Sequence, residues 1–357
     1  MDELIATFEV RRRRFIAPDG TPIGELPAFA ARPGELAAMY RAMLRARAFD
    51  TRCTSLQRTG RLGTFATALG QEAVPVGAAA AMLPDDVLVP SYREAGAQLW
   101  RGVDPAELLA YWGGDERGHD FAAPVARGDY PICITVGNQS LHAAGVAVAL
   151  QHAGAARAVV CTMGDGATSK GDVYEAINIA GAWRLPLVLV VTNNRWAIST
   201  PVAAQTGAAT LAQKGFGGGV AVLQADGNDV VAVRDAVEEA LERARAGGGA
   251  TLVECLTYRV NDHNTADDAR RYRDPAEVAE ARATDPVDRL RGLLTRLGEP
   301  PDDGALDAAI RSEMDAAAAR YEATAPPDPD AMFAFVHARP PAALEAQRAL
   351  ARRFPDG

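Results

Sequence analysis

"AVVCTMGDGATSKGD", residues 158–172, is the stretch that decides the fold of this 357-residue chain. A short apolar run ends there at a glycine–aspartate–glycine turn, and a helical pattern follows. Nearly continuous apolar strands are buried on both faces, which is typical of a parallel sheet covered by helices. The sequence therefore predicts an α/β fold, a doubly wound parallel sheet flanked by helices. Three later runs repeat the pattern between helical segments: "LVLVV" (187–191), "VAVLQ" (220–224) and "TLVECLTY" (251–258).

Three parts of the chain differ in composition. Residues 1–33 are rich in proline, glycine and charge and predict an extended N-terminal arm, whose arginine run at 11–15 is interpreted as solvated or as a partner contact. Residues 34–275 predict the α/β domain, which includes a loop at about 259–275 that is too polar for a core. Residues 276–357 predict a helical C-terminal extension.

The overall composition excludes several classes of function. A formal charge of -9 disfavours nonspecific binding to nucleic acid, and no apolar stretch is long enough to span a bilayer. The four cysteines are far apart and form no CxxC pair, which is typical of reduced thiols. We therefore expect a cytoplasmic protein with no nucleic-acid partner and no membrane partner.

Polar residues follow two successive strands at the point where each strand ends. Asp165 lies between two glycines after the first strand, and Asn193 and Asn194 end the next. A right-handed crossover brings both strand ends to the same edge of the sheet, where ligands bind in such folds. Free N–H groups at the start of the following helix suit an anion, and carboxylate and amide oxygens suit Mg²⁺. This pattern predicts a bound diphosphate with Mg²⁺.

The same stretch does not match two other phosphate-binding motifs. A Rossmann fingerprint requires a third glycine where Ser169 stands. A Walker loop requires Ser or Thr after its lysine, whereas Lys170 is followed by Gly171. The remaining alternative is structural: Asp165 caps a helix and the two asparagines form a turn. The combination of both features on one sheet edge favours the binding site.

Several motifs of this sequence resemble those of one known family. The GDG turn, the helix and the strand that ends in two asparagines resemble the thiamine diphosphate motif. Wider similarity identifies the chain as a member of the alpha subunits of the decarboxylating component of 2-oxo acid dehydrogenase complexes, over roughly residues 60–290. The resemblance lies in "GRLGTFATALGQEA", "PSYREAG", "MGDGATSKGDVYEAINIAGAW", "NNRWAISTPVAAQT", "LTYRVNDHNTADDARRYR" and "DPVDRL".

The resemblance implies a role for each matching residue. Asp165 and Asn194 would bind Mg²⁺ through their side chains, and Trp196 through its backbone carbonyl. Arg93 would bind phosphate through its planar guanidinium, with Arg259 as a second phosphate contact. The other cofactor contacts that the family pattern implies are Tyr92, Ile134, Val136, Gly164, Gly166, Ala167 and Ile198.

His263 matches the family's histidine on the mobile active-site loop, here about 259–275. A lone histidine is more often structural, but this one stands among charged residues in a polar loop. The resemblance implies that it is catalytic: it contacts the cofactor or the substrate-derived group and assists proton transfer to the lipoyl acceptor. Asn264 follows it where mammalian relatives have a phosphorylatable serine.

The resemblance also implies the reaction and its partners. Thiamine diphosphate supports decarboxylation of a 2-oxo acid, and the acyl group passes to the lipoyl domain of the dihydrolipoyl acyltransferase component. A glutamate that activates the cofactor comes from a beta subunit in this family. We therefore expect an α₂β₂ heterotetramer with active sites between alpha and beta subunits. The alpha chain alone should be inactive.

The substrate is less sharply indicated than the reaction. "DGNDV" and "HNTADD" are more similar to branched-chain members and favour a substrate such as 2-oxoisovalerate. "NNRWAISTPVAAQTGAATLAQK" is close to bacterial pyruvate members, so pyruvate is the alternative and acetoin the third choice. A hypothesis of another class is a non-catalytic scaffold subunit that retains the fold.

Overall fold

The computed structural model describes residues 1–354. Its main sheet contains six strands, and a separate hairpin contains two. In chain order the strands are β1 (Arg12–Arg13), β2 (Val87–Val89), β3 (Val159–Gly164), β4 (Leu187–Asn193), β5 (Trp196–Ala197), β6 (Thr200–Pro201), β7 (Ala221–Asp226) and β8 (Thr251–Leu256). The main sheet has the order β1-β7-β8-β4-β3-β2 and all its pairs are parallel, while β5 and β6 form the antiparallel hairpin. The predicted α/β fold is confirmed.

Helices connect the strands and cover both faces of the sheet. They are α1 (Pro33–Arg58), α2 (Ala73–Ala80), α3 (Ala95–Trp100), α4 (Pro105–Trp112), α5 (Gln139–His152), α6 (Gly171–Ala182), α7 (Val202–Gln205), α8 (Lys214–Gly217), α9 (Val230–Arg245), α10 (Pro275–Arg282), α11 (Pro286–Arg296), α12 (Asp303–Ala323), α13 (Ala331–Ala334) and α14 (Ala342–Ala351). Short 3₁₀ turns lie at Ala28–Ala31, Glu116–His119, Asp165–Ser169, Leu211–Gln213 and Ala269–Arg271.

The core explains why the strands are apolar without interruption. All seven residues of β4 are buried, since the sheet is covered on both sides. Leu189 on one face packs with residues of α5 and α6. Val190 on the opposite face packs with residues of α2 and α9. Successive side chains of a strand alternate between faces, so a strand between two helical layers requires apolar residues at every position.

The strand register brings the predicted site residues to one edge. Gly164 of β3 is paired with Thr192 of β4, so Asp165 and Asn194 leave the sheet next to each other in the register. On the other side of β4, Asn193 is paired with Leu256 of β8. The loop that contains His263 therefore starts at the same edge.

Most of the N-terminal arginine run is exposed, and two of its residues also join the main sheet. Arg12 and Arg13 form the edge strand β1, which is paired with β7. Nε of Arg12 donates to Oε1 of Gln224 at 2.7 Å, and Arg13 forms a salt bridge with Asp235 at 2.7 Å. Arginine stems pack along a surface while the guanidinium finds acceptors, so a charged run does not require full solvation.

The C-terminal extension is helical, as predicted, and α11 and α12 contribute to the core. Leu290 and Leu293 of α11 are buried against residues of α1 such as Met39. Ile310 and Met314 of α12 are buried in a second apolar cluster with further residues of α1. The boundaries at residues 33 and 275 stay predictions. Within residues 1–354 no helix combines the length and the apolar character needed to cross a membrane.

Candidate active site

A cavity of about 240 Å³ opens at the carboxyl ends of β3 and β4. Its wall includes the buried carboxylate of Asp165 and the buried amide of Asn194. Ile134 and Arg259 are predicted site residues that do not line it. The predicted residues on its wall are Tyr92, Arg93, Val136, Gly164, Asp165, Gly166, Ala167, Asn194, Trp196, Ile198 and His263.

A larger groove of about 590 Å³ lies between α1, α11 and α12. Arginines in this groove are engaged by acids: Arg47 pairs with Glu72 and Asp285, and Arg311 pairs with Asp307. The smaller cavity at the strand ends differs from this groove, because buried polar groups on its wall lack charged partners. We therefore take the cavity at the strand ends as the candidate active site.

The turn Asp165–Ser169 forms the floor of the site. Gly166 is required there by a close approach of the hairpin, since a Cβ on this residue would lie 2.7 Å from the Cβ of Ala197. The turn leads into α6, and the first N–H groups of a helical segment lack partners within it. Such groups bind anions, so the local backbone suits the expected diphosphate.

Asp165 is a buried carboxylate without a cationic partner among the described residues. Its side chain is 1% exposed, and its Oδ2 accepts a hydrogen bond from Nε2 of Gln205 at 2.8 Å. Burial raises the pKa of Asp165, while the bond from Gln205 and the charges of Arg259 and Arg93 act in the opposite direction. A buried charge is unfavourable unless it is paired or coordinates a metal, so this carboxylate fits a bound cation.

Two neutral oxygens complete the expected ligand set. The amide of Asn194 donates from Nδ2 to Oε1 of Gln71 at 2.8 Å, and its Oδ1 accepts from the N–H of Trp196 at 3.2 Å. The carbonyl of Trp196 accepts from Nη1 of Arg259 at 3.0 Å. Carbonyl and amide oxygens each have two lone pairs, so both retain acceptor capacity. One carboxylate and two neutral oxygens fit Mg²⁺, which prefers hard oxygen ligands and keeps several waters.

Arg259 lies behind the cavity and is 1% exposed. Besides Trp196, its guanidinium donates to the carbonyl of Ile198 at 2.7 Å and to the hydroxyl of Tyr272 at 3.0 Å. Ile198 has a φ of 55°, a left-handed conformation that costs roughly 1–3 kcal/mol for a non-glycine residue. Arg259 thus stabilises a strained hairpin next to the site. Its predicted contact with phosphate stays a prediction.

His263 is joined to Arg93 on the cavity wall. Nη2 of Arg93 lies 2.9 Å from Nδ1 of His263 and 2.6 Å from the carbonyl of the same residue. Arginine only donates hydrogen bonds, so Nδ1 is the acceptor and the ring proton is on Nε2. Nη1 of Arg93 donates to the carbonyl of Thr67. Arg93 thus orients the imidazole of His263 through these hydrogen bonds. The contact of Arg93 with a phosphate stays a prediction.

The loop that contains His263 is held by internal contacts. The backbone N–H of His263 donates to Oδ2 of Asp267 at 2.8 Å, and the same oxygen accepts from the hydroxyl of Tyr272. The ring of Tyr92 stands edge-on to the imidazole, with 6.2 Å between ring centroids. These contacts place the imidazole over the cavity. The mobility of the loop stays a prediction.

Two residues next to the predicted ligands were missed by sequence reasoning. Gln71 orients the amide of Asn194, and Gln205 holds the carboxylate of Asp165. Both residues lie within the motifs that carry the family resemblance, "GQEA" and "VAAQT". Nε2 of Gln71 and the indole N–H of Trp196 are buried without a hydrogen-bond partner in residues 1–354. Polar groups of this kind are typical of a site that receives a ligand.

We predict that His263 is neutral near neutral pH. Burial and the charges of Arg93 and Arg259 lower its pKa from 6.5 to about 4. The unfolded chain therefore takes up this proton at higher pH than the folded chain, so the contribution to stability is full above pH 6.5 and is lost as pH falls toward 4. In an NMR titration of the cofactor-free chain, assigned with His263→Gln, the ring signals should not shift between about pH 8 and pH 6. A titration midpoint near 6.5 would contradict this prediction.

The chain is similar to one family of known proteins. The family model described as "Dehydrogenase E1 component" matches residues 40–330. The 3-methyl-2-oxobutanoate dehydrogenase subunit alpha of Mycobacterium tuberculosis is 38% identical over 355 residues, which cover 97% of this chain and 94% of the relative. The pyruvate dehydrogenase E1 component subunit alpha of Acholeplasma laidlawii is 39% identical over 282 residues, covering 78% of this chain and 81% of the relative. Its counterpart from Staphylococcus aureus is 39% identical over 290 residues, covering 81% and 78%.

Proposed function

Because the chain belongs to the dehydrogenase E1 component family, as an alpha subunit of a 2-oxo acid dehydrogenase, we propose that its substrate is a branched-chain 2-oxo acid such as 2-oxoisovalerate. The product is the corresponding acyl group, which is transferred to a lipoyl group of the acyltransferase component. The observation that supports this choice is the near-complete match to a 3-methyl-2-oxobutanoate dehydrogenase alpha subunit, over 97% of this chain and 94% of that protein. Pyruvate is the alternative, since pyruvate dehydrogenase alpha subunits are equally similar over a shorter length.

Thiamine diphosphate is the cofactor that the family implies, and Mg²⁺ is part of the proposal. When bound, the cofactor stabilises the carbanion that forms as CO₂ leaves the 2-oxo acid. The carboxylate of Asp165, the amide oxygen of Asn194 and the carbonyl of Trp196 would hold Mg²⁺. The burial of Asp165 without a cationic partner in the described residues supports this assignment.

The chain's own residues position and shield the reacting groups. The backbone at Gly166 and Ala167 would bind the diphosphate, and Tyr92, Arg93 and Arg259 would order the wall beside it. His263 is the proposed catalytic residue, because its Nε2–H is the free polar end of an imidazole that Arg93 fixes through Nδ1. A neutral, oriented N–H donates a hydrogen bond to an oxygen that gains negative charge, and the ring then assists proton transfer.

A beta subunit is the partner that the family implies. We propose an α₂β₂ heterotetramer with the active site between the two kinds of subunit, and the lipoyl domain as the second partner. The exposure of apolar side chains on the cavity wall supports a partner there: Val136 is 44% exposed and Ile198 56%. Apolar residues grouped around a binding cavity are typical of a surface that another molecule covers. Buried free cysteines such as Cys161 support a reducing, cytoplasmic location.

The substrate profile of the reconstituted tetramer tests the proposal. The chain is co-expressed with its beta subunit, and reduction of an artificial electron acceptor is measured with 2-oxoisovalerate, pyruvate and acetoin. We expect kcat/KM to be about tenfold or more higher for the branched-chain acid, since pocket size discriminates by about 1–3 kcal/mol per methylene.

Each outcome of this profile has a clear meaning. A higher kcat/KM for pyruvate contradicts the branched-chain assignment and leaves the family reaction in place. No turnover of any substrate, together with no binding of thiamine diphosphate, identifies a non-catalytic scaffold subunit. The Asp165→Ala tetramer serves as the blank, because the proposal requires that it be inactive.

A further inference from the structure

Both lysines of the chain lie at the turn that forms the floor of the site. Among 37 basic residues only Lys170 and Lys214 are lysines. Lys170 directly follows the turn Asp165–Ser169, and its side chain is 38% exposed. Lys214 starts α8 and is 9% exposed. Nζ of Lys214 donates to the carbonyl of Thr168 at 2.7 Å and to the hydroxyl of the same residue at 2.9 Å.

The charge of Lys214 has no counterion among the described residues. Its hydrogen-bond partners are two neutral oxygens of Thr168, and the ring of Tyr174 lies 5.4 Å from Nζ. A buried ammonium is unfavourable unless it is paired or well hydrogen-bonded. Lys214 lies against the turn where the diphosphate would bind, and this multiply charged anion would offset the positive charge of the ammonium.

Hydrogen bonds connect Lys214 to Asp165. The hydroxyl of Thr168 accepts from Nζ of Lys214 and donates to the carbonyl of Asp165 at 2.7 Å. The ammonium therefore fixes the backbone of the proposed metal ligand through one side chain. Removal of the ammonium frees both oxygens of Thr168 and loosens the turn.

The segment before Lys214 is tied to the second strand end. Its turn Leu211–Gln213 donates from the N–H of Ala212 to Oε2 of Glu254 at 3.1 Å. Oε1 of Glu254 accepts from Nδ2 of Asn193 at 2.7 Å. Asn193 precedes Asn194, so residues 211–214 are joined through Thr168 to the backbone of Asp165 and through Glu254 to the side chain next to Asn194 in the chain. Residues 211–214 therefore connect the two loops at the strand ends, and Lys214 is the charged residue of this connection.

We propose that Lys214 is a positioning residue for the cofactor: it holds Thr168 and Asp165 in place and provides a buried positive charge beneath the bound diphosphate. This inference rests on the proposed function, because it requires thiamine diphosphate as the ligand. Lys214 itself lies under the turn and acts through Thr168 and through its charge.

The test measures cofactor affinity and stability separately. The tetramer is prepared with Lys214→Met, Lys214→Arg and Thr168→Val, with Lys170→Met as the matched control. Calorimetry measures the Kd of thiamine diphosphate at saturating Mg²⁺, and thermal unfolding is recorded without cofactor. Lys214→Met should weaken binding about tenfold or more, because hydrogen bonds from a charged group are lost. Lys170→Met should change the Kd by less than about twofold, because its exposed ion pair with Asp172 and its hydrogen bond to Asn138 contribute little and neither reaches the turn Asp165–Ser169.

The other variants separate a positioning role from a general effect on folding. Thr168→Val should weaken binding by about threefold, since only the hydroxyl is lost. The loss of affinity in the Lys214→Met/Thr168→Val double variant should be smaller than the two single losses combined, because the lysine acts partly through this hydroxyl. Lys214→Arg retains the charge and should bind better than Lys214→Met. At saturating cofactor, kcat of Lys214→Met should stay within about twofold of wild type, since the reacting groups are untouched.

Several results would overturn the inference. An unchanged Kd in Lys214→Met does so while the proposed function stands, provided that the wild-type tetramer binds the cofactor. An equal loss in Lys170→Met does so as well, because it indicates a general effect of charge. If Lys214→Met does not assemble, Thr168→Val decides, and an unchanged Kd in that variant overturns the inference. A wild-type tetramer that binds no thiamine diphosphate overturns both the inference and the proposed function.

Discussion

The Asp165→Ala tetramer is expected to lose magnesium-dependent binding of thiamine diphosphate. Asp165 is the only charged oxygen donor among the three proposed ligands, and it is 1% exposed. Residues that only orient a metal ligand cost about 10–100-fold in affinity when they are replaced. Loss of the charged ligand itself should cost more than that, and activity should disappear with it.

The stability of the cofactor-free protein should change in a different way. Burial raises the pKa of Asp165, so the folded chain holds this carboxylate at a cost when no cation is bound. Alanine removes that cost, and the melting temperature without cofactor should stay the same or rise. The increase in melting temperature on addition of cofactor and Mg²⁺ should vanish, because ligand-linked stabilisation requires binding.

The matched control for this prediction is Asp172→Ala, on the helix that follows the same turn. Asp172 has a side chain that is 37% exposed and forms a salt bridge with Lys170. An exposed pair contributes little, so this variant should bind the cofactor as wild type does. Calorimetry at several Mg²⁺ concentrations measures both variants. Wild-type affinity in Asp165→Ala, with its usual dependence on Mg²⁺, would refute the ligand assignment.

The His263→Ala tetramer is expected to retain the cofactor and to fail in acyl transfer to the lipoyl domain. The Nδ1 atom of His263 is engaged by Arg93, so the reactive end of the ring is its Nε2–H. Loss of a positioned acid–base group costs about 10²–10⁴-fold in rate. Affinity for thiamine diphosphate should change far less, since His263 is not one of the three proposed Mg²⁺ ligands.

Single-turnover transfer to isolated lipoyl domain measures this effect, with the Kd of the cofactor as the parallel readout. His142→Ala is the matched control, because His142 is an exposed histidine on α5. A normal transfer rate in His263→Ala contradicts the catalytic role. An equal loss of cofactor binding indicates that His263 supports the wall of the site instead, through Arg93.

The sheet was predictable because its inner strands have a strong signature. β3 and β4 are short apolar runs with polar turns behind them, and a strand between two helical layers has no other way to bury both faces. β1 has no such signature. It consists of two arginines, and its pairing with β7 depends on backbone hydrogen bonds and on acceptors more than 200 residues away.

The candidate site was predictable to a similar extent. Asp165 and Asn194 follow from the strand ends, because parallel strands deliver their carboxyl ends to one edge. Gln205 and Lys214 could not be found in this way, since their contacts with the turn arise from packing of segments 40 and 46 residues away. The Arg259 guanidinium is directed toward the carbonyls of the hairpin. The residue type alone does not determine which neighbouring oxygen accepts a hydrogen bond from an arginine.

The edge strand β1 also has a consequence for the order of events during synthesis. Arg12 is bonded to Gln224, a residue 212 positions later. At about 5–20 residues per second, the ribosome needs roughly 10–40 s to deliver that partner after the first strand has emerged. β1, on the N-terminal side of the sheet's other strands in the chain, can therefore join the sheet only after β2, β3 and β4 have been synthesised. A fusion tag at this end would remain outside the growing sheet for the same interval.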